Sequence, residues 1–289
     1  MTELTYESTL RELQTDHGVL RYHEAGDGPP LLMLHGSGPG VTGWRNYHGI
    51  LPLFAREFRC LVLEFPGFGV SHPADQHPMV AAPEAVMRFL DGLGLQQVDV
   101  IGNSMGGIIA TQIAIGHRDR VRRLVTIGGI GRNLFYPGFG GEGINLLVEF
   151  TENPTREKLV QWLHSMVYDP ALITEELIEE RWAQATDPDT LASARRMYGR
   201  GALEARAAAV AASDNPPDWA MLHKIKARTL MTWGRDDRVS PLDMAILPMR
   251  TIPDVELHVF PNCGHWAMIE QKAAWESVVL AFLIHKDET

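Results

Sequence analysis

Short runs of consecutive apolar residues recur along the chain, most of them closed by a glycine. "LLMLH" (Leu31–His35) is the first strong one, and a Gly-rich turn ends it. "RCLVLEFPGFG" (Arg59–Gly69), "VDVIG" (Val98–Gly102), "RRLVTIGG" (Arg122–Gly129), "RTLMTWG" (Arg228–Gly234) and "VELHVFP" (Val255–Pro261) repeat the pattern. Continuous apolar runs of this length suit parallel strands covered on both faces, where no polar alternation is needed. "GVLRYHEAG" ahead of them is also strand-like and leads into the turn Gly26-Asp27-Gly28-Pro29-Pro30. Helical stretches fall between most of the runs, at Val80–Leu93, Met105–Gly116 and Ala273–His285. Strands alternating with helices make βαβ units, so the class is α/β: a mainly parallel central sheet with helices on both faces.

One long segment breaks the alternation. From about Arg132 to Asp218 no strand pattern occurs. "TREKLVQWLHSMVYD" and "ITEELIEERWAQA" have amphipathic helical spacing, and "GALEARAAAVAA" is Ala-rich and helical. The expected organisation is an α/β core of residues 1–131 and 219–289, with residues 132–218 inserted as a helical lid over the carboxyl edge of the sheet. The alternative is a separate small helical domain.

Composition narrows the class further. A length of 289 residues fits an α/β domain with an insertion. The net charge is -10, with no Lys/Arg cluster, which argues against nucleic acid or an anionic membrane as partner. No stretch approaches the roughly 18–20 apolar residues of a membrane helix. The opening residues lack the apolar core of a signal peptide. Cys60 and Cys263 read as reduced thiols of a cytoplasmic protein and give no metal-ligand spacing.

The chemistry centres on "IGNSMGGIIA" (Ile101–Ala110). Gly102-Asn103-Ser104-Met105-Gly106 fits G-x-S-x-G between a strand and a helix, a turn that lifts the serine hydroxyl above the carboxyl ends of the strands. A serine hydroxyl is a weak nucleophile at neutral pH and needs a base, which in turn needs an orienter. Both follow in the order nucleophile, acid, histidine. "TWGRDDRVSP" brings Asp236 and Asp237 after one strand, and "PNCGHWAM" brings His265 after the last. The spare carboxylate becomes a loop or ion-pair residue with Arg235 or Arg238. His117, His164 and His223 sit in helical or solvated contexts, and His35 is expected to bond loop backbone. An oxyanion needs donors. "LHGSGPG" (Leu34–Gly40) supplies a Gly-rich turn, and the natural pair is the backbone N–H of Ser37 and of Met105. No G-K-[ST] follows this turn, and G-x-G-x-x-G is absent, so neither a P-loop nor a dinucleotide site fits.

Taken together these stretches resemble the α/β-hydrolase fold over nearly the whole chain. More narrowly, "LHGSGPGVTGW", "GNSMGG", "LITEELIEERW", "TWGRDDRVSPLD" and "CGHWAM" resemble the meta-cleavage product hydrolases, closest to those of biphenyl and alkylbenzene breakdown. These enzymes cut a carbon–carbon bond in 2-hydroxy-6-oxohexa-2,4-dienoates from extradiol cleavage of catechols. The resemblance implies Ser104 as nucleophile, His265 as base and proton shuttle, and Asp237, rather than Asp236, as orienter. It implies oxyanion amides from Ser37 and Met105. Gly36, Gly38, Asn103, Arg181 and Trp266 are the expected substrate contacts, the last three at the dienoate end. Met166, Val167, Val239 and Trp219 are candidates to line the pocket for a 6-phenyl or 6-alkyl group, or to be ordinary core. Arg181 has an opposite reading as a surface cation beside Glu175, Glu176, Glu179 and Glu180. No metal or organic cofactor is implied, and a homodimer or larger homo-oligomer is. A carboxylesterase or lactonase of the same fold is the alternative activity, and a non-catalytic binding protein that kept the fold is a third. Two stretches depart from the family pattern. Glu64 in "LEFPGFG" stands where hydrolases of this fold commonly have Asp, with little effect expected on the chemistry. "RMYGRGALEARAAAVAASDNPPDW" matches the family poorly.

Overall fold

Each of the apolar runs forms a strand. The computed structural model describes residues 4–69, 71, 76–133 and 141–285. Its strands are β1 (Leu10–Thr15), β2 (Gly18–Ala25), β3 (Pro30–Leu34), β4 (Arg59–Leu63), β5 (Val98–Asn103), β6 (Val121–Ile127), β7 (Arg228–Gly234) and β8 (Val255–Phe260). They form one sheet in the order β1-β2-β4-β3-β5-β6-β7-β8. β2 pairs antiparallel with both β1 and β4, and every pair from β4 to β8 is parallel. β1 is the one strand the sequence pattern did not announce. Its burial alternates weakly at the edge of the sheet, so no continuous apolar run marks it.

The longer helices are α1 (Pro78–Gly92), α2 (Met105–Gly116), α3 (Glu142–Glu152), α4 (Arg156–Met166), α5 (Glu175–Ala185), α6 (Pro188–Tyr198), α7 (Arg200–Ala211) and α8 (Lys272–Ile284). Alternate residues of a strand point to opposite faces, so a doubly covered strand feeds two cores. In β3, Leu31 and Met33 join Trp275 and Val279 of α8 on one face. Leu32 and Leu34 join Val86 and Phe89 of α1 and Ile109 of α2 on the other. The sheet and its flanking helices thus rest on two dry layers, and the carboxyl ends of β3, β5, β6, β7 and β8 open onto a common edge.

Between β6 and β7 the chain runs through α3 to α7. Capping residues set the helix starts: Thr155, Thr174 and Asp187 each accept a backbone N–H at the N-terminus of α4, α5 and α6. These helices lie against the loops of the sheet edge. The ring of Trp162 in α4 lies against Gly38, where a Cβ would come within 2.6 Å of it. Arg181 in α5 lies against Gly40. The Met166 carbonyl at the end of α4 accepts the N–H of His265 at 2.8 Å. Parts of both expected units lie outside the described residues: 1–3, 70, 72–75 and 286–289 of the core, and 134–140 of the insertion. Among the described residues no helix is long and apolar enough to cross a membrane.

Candidate active site

Ser104 is the single residue between β5 and α2, and it makes the turn with φ 50° and ψ -113°. A side chain in that region is strained, and the strain is held from several sides. The Ser104 N–H donates to the Ile127 carbonyl at 2.9 Å. The surrounding glycines make the space. A Cβ at Gly102 would lie 2.5 Å from the Gly106 oxygen, and one at Gly106 would overlap the Leu34 carbonyl. Gly129, at φ 71°, has the Ser104 carbonyl where its own Cβ would sit. The glycines therefore let a residue with a reactive side chain occupy a turn too tight for its neighbours to carry side chains.

His265 and Asp237 meet beneath this turn. His265 Nδ1 donates to Asp237 Oδ2 at 2.7 Å, and both residues are buried. Asp237 Oδ1 accepts the backbone N–H groups of Val239 and Ser240, each at 2.8 Å. Trp233 Nε1 donates to the Ser240 carbonyl at 2.7 Å and pins the same loop. With Nδ1 bearing the proton, Nε2 is left with its lone pair free to act as base. Asp236 turns away, pairing with Arg235 at 3.2 Å. The structure therefore separates the two aspartates that sequence alone left competing.

The Gly-rich loop after β3 is braced by His35. Its Nδ1 donates to the Gly36 carbonyl at 2.6 Å, and its Nε2 accepts the Phe65 N–H at 3.0 Å. Burial lowers its pKa to about 4, so it stays neutral. The Gly36 N–H is taken by Asn46 Oδ1 at 2.8 Å. Among the described residues no acceptor faces the N–H of Ser37 or of Met105. Glu64 is buried beside His35, with its Oε2 3.8 Å from His35 Nε2. Its Oε1 accepts the Trp44 N–H at 3.2 Å, and burial raises its pKa to about 7.

Ser104 stands between two cavities. The smaller, about 20 Å³, is lined by His265, Asn103, Arg181, Trp266 and Met166 among others. The larger, about 460 Å³, is mostly apolar, with Ile108, Met197, Leu203, Val239 and Met244 in its wall and Arg132 and Arg206 beside them. Arg181 is 6% exposed, and three of the four carboxylates on its helix are engaged elsewhere. Glu175 and Glu179 pair with Arg156, and Glu180 pairs with Arg45. Arg181 itself keeps only a 3.4 Å hydrogen bond to the Pro39 carbonyl and the face of Trp266, 5.6 Å from Cζ to the ring centre. Among the described residues its Nε has no hydrogen-bond partner. Burial lowers its pKa to about 10, so it remains a cation at neutral pH. The surface reading of Arg181 is thereby overturned, because the side chain is buried and three of the four carboxylates proposed for it pair with another guanidinium.

The remaining expected contacts divide. Asn103 Nδ2 donates to the Ile127 carbonyl at 3.3 Å, and its side chain lines the smaller cavity with Gly36. Gly38 instead packs under Trp162 and borders a separate small crevice. Of the four candidates for the distal pocket, only Val239 lines the larger cavity. Met166 lines the smaller one, on the Arg181 side. Trp219 lies in an outer groove with Arg132 6.0 Å from its ring. Val167 is core, packed against Gly264. Ile108, Met197, Tyr198, Leu203 and Met244 were not singled out from sequence. They converge from α2, α6, α7 and the loop after β7, and no local pattern announces such a meeting.

The fold and the arrangement around Ser104 point to one class. The family profile described as alpha/beta hydrolase fold matches residues 29–272. The chain is 37% identical to a 2-hydroxy-6-oxo-6-phenylhexa-2,4-dienoate hydrolase of Burkholderia cepacia, covering 98% of this chain and 99% of the relative. It is 34% identical to a 2-hydroxy-6-oxononadienedioate/2-hydroxy-6-oxononatrienedioate hydrolase of Comamonas testosteroni, covering 95% and 94%. A solved meta-cleavage product hydrolase from Pseudomonas fluorescens superposes with a TM-score of 0.85 at 26% identity, covering 96% of this chain and 98% of that one. The chain belongs to the meta-cleavage product hydrolases of the α/β-hydrolase fold.

Proposed function

We propose that this enzyme hydrolyses a carbon–carbon bond in 2-hydroxy-6-oxohexa-2,4-dienoates, with Ser104 as nucleophile, His265 as base and Asp237 as orienter. The observation that carries the reading is Arg181, a buried cation without a carboxylate, in the same small cavity as Ser104 and His265. A substrate carboxylate is the partner such a guanidinium lacks. Trp266 and Asn103 flank it and would hold the planar dienoate end, while the 6-substituent lies in the larger cavity beyond Ser104.

The steps follow from this placement. The 2-hydroxyl proton is removed and a proton is delivered to C5, giving the 2,6-diketone. His265 Nε2 takes the Ser104 proton, and Oγ attacks C6. The oxyanion forms against the Ser37 and Met105 N–H groups. The C5–C6 bond breaks, its electron pair delocalises toward the 2-keto group, the proton held by His265 is delivered to that enolate oxygen, and 2-hydroxypenta-2,4-dienoate leaves. Water, deprotonated by the neutral His265, attacks the acyl-Ser104, and His265 returns the proton to Ser104 Oγ as the carboxylic acid is released. The sum is substrate plus water giving dienoate plus acid.

For the 6-substituent, the apolar wall of the larger cavity supports phenyl or bulky alkyl. Arg132 and Arg206 in the same wall favour a second reading, a substituent ending in a carboxylate, as in the dioate named for the Comamonas testosteroni relative. The helices α3–α7 are read as a lid on the core of residues 1–131 and 219–289, and the enzyme as a cytoplasmic homodimer or larger homo-oligomer. Purified protein supplied with 6-phenyl, 6-alkyl and 6-carboxyethyl dienoates tests the activity. Release of 2-hydroxypenta-2,4-dienoate and the matching acid is expected. Turnover of nitrophenyl esters alone would refute it in favour of an esterase.

A further inference from the structure

Among the described residues only Ser37 and Ser104 line both cavities, so the reacting carbonyl of any substrate spanning them must lie beside these two hydroxyls. Ser37 Oγ is hydrogen-bonded to the Tyr198 hydroxyl, which arrives from the last residue of α6. Neither hydroxyl has another partner among the described residues. Two hydroxyls joined by one hydrogen bond hold two hydrogens and use one, so one donor is left over at the constriction. A phenol is the stronger donor of the two and an alcohol oxygen the better acceptor. Tyr198 therefore donates to Ser37 Oγ, and the Ser37 hydrogen is the one left free. Burial pushes the Tyr198 pKa up to about 12, so the phenol keeps its proton through the neutral range.

We propose that Tyr198 is a positioning residue that turns the Ser37 hydroxyl into a third oxyanion donor, beside the N–H groups of Ser37 and Met105. This rests on Ser104 being the acyl-accepting nucleophile. The geometry also gives the donor a condition. Tyr198 belongs to the helices inserted between β6 and β7, while Ser37 belongs to the loop after β3. The donor is aimed only when those helices sit down on the sheet edge, so the covering helices and the oxyanion site assemble together.

A double-mutant cycle of Ser37→Ala and Tyr198→Phe tests this, followed by stopped-flow absorbance on a 6-phenyl dienoate and by hydrolysis of a nitrophenyl ester. Phenylalanine keeps the ring that packs at the junction, so thermal unfolding reports any structural cost separately. Each single variant is expected to lose about ten-fold to a hundred-fold in kcat with KM within about three-fold, a neutral donor being worth this much against a developing charge. The double variant is expected to be no worse than Ser37→Ala alone, because the relay needs both hydroxyls. The loss should fall in the cleavage phase and spare ketonisation. Tyr198→Phe within two-fold of wild type in kcat would overturn the proposal, as would a double variant whose loss is the product of the singles. A wild type that leaves the dienoate untouched would sink the substrate reading alone. The ester arm still decides the relay, since any acyl oxyanion at Ser104 meets the same donor.

Discussion

Replacing Arg181 by methionine should stabilise the free enzyme while crippling it toward its substrate. The guanidinium is buried, and its pKa falls from the ordinary 12.5 to about 10, first through desolvation and then through the field of Arg45. At about 1.36 kcal/mol per pH unit, that fall corresponds to a burial cost of about 3 kcal/mol. The face of Trp266 returns about 1 kcal/mol, and the long bond to the Pro39 carbonyl adds less. A net cost of about 1–2 kcal/mol is left in the folded protein. The sign is fixed by linkage. A base with a depressed folded pKa carries its full penalty below that pKa and sheds it only as pH rises from about 10 toward 12.5. Across pH 6–9 the penalty is constant. Methionine, similar in length and apolar, removes it, so Tm should rise by a few degrees, equally at pH 6 and pH 9. The same change deletes the partner of the substrate carboxylate, worth about 2–5 kcal/mol in a buried charged pair. kcat/KM for a dienoate should fall by about 10²-fold to 10³-fold. For a neutral nitrophenyl ester, which has no carboxylate to place, the loss should stay within a few-fold. Differential scanning fluorimetry and parallel kinetics measure both halves. Equal losses on the two substrates would refute the role given to Arg181, and a lowered Tm would refute the claim that the cation is held at a cost.

Three further outcomes follow from the same geometry. Asp237→Asn should lower kcat by about 10⁴-fold, because the amide cannot fix the His265 tautomer that leaves Nε2 free. Asp236→Asn, whose carboxylate meets Arg235, should stay within about two-fold, and steady-state kinetics of the pair separates them. Glu64→Gln removes a carboxyl whose pKa burial raises to about 7. The native protein holds that proton more tightly than the unfolded chain, so the Glu64 contribution becomes unfavourable as pH climbs from about 4.5 to about 7. The stability difference between Glu64→Gln and wild type should therefore grow in the variant's favour between pH 5 and pH 8, by up to about 3 kcal/mol, in urea titrations at the two pH values. A difference that does not change with pH would contradict this. Gly129→Ala should prevent folding or cost several kcal/mol, since the new methyl would occupy the space of the Ser104 carbonyl at a φ of 71°. Soluble yield and Tm are the readouts.

How much of this was legible in the sequence depended on how local each cause is. The strands of the parallel sheet were legible because a doubly buried strand writes a continuous apolar run, as at Leu31–Leu34 and Cys60–Leu63. β1 was not, because an edge strand with weak alternation leaves no such run. The turn at Ser104 and the chain order of Asp237 and His265 were readable because crowding and tautomer control demand fixed residue types at fixed places. Helix α6 was passed over. Its sequence, PDTLASARRMY, is mixed in polarity, and its cap at Asp187 is the clearest local mark. The distal wall lay beyond reach for a different reason. Val239 and Val167 are both apolar residues near the triad. Both are buried in the same core, and only the placement of the residues just after α4 against Gly264 decides that Val239 alone of the two also borders the larger cavity. Arg181 showed the limit most sharply. Four glutamates within its helix invite a surface reading, and only the positions of Arg45 and Arg156 reveal that three of them are occupied elsewhere.

The most direct test of the central claim is stopped-flow absorbance of the wild type and Ser104→Ala with a 6-phenyl dienoate, with products identified by mass. Cleavage removes the conjugation that colours the substrate. The account predicts that the wild type bleaches the dienoate to 2-hydroxypenta-2,4-dienoate and benzoate, and that Ser104→Ala loses on the order of 10³-fold or more in kcat while still binding it. A Ser104→Ala variant that cleaves within a few-fold of wild type would contradict the account.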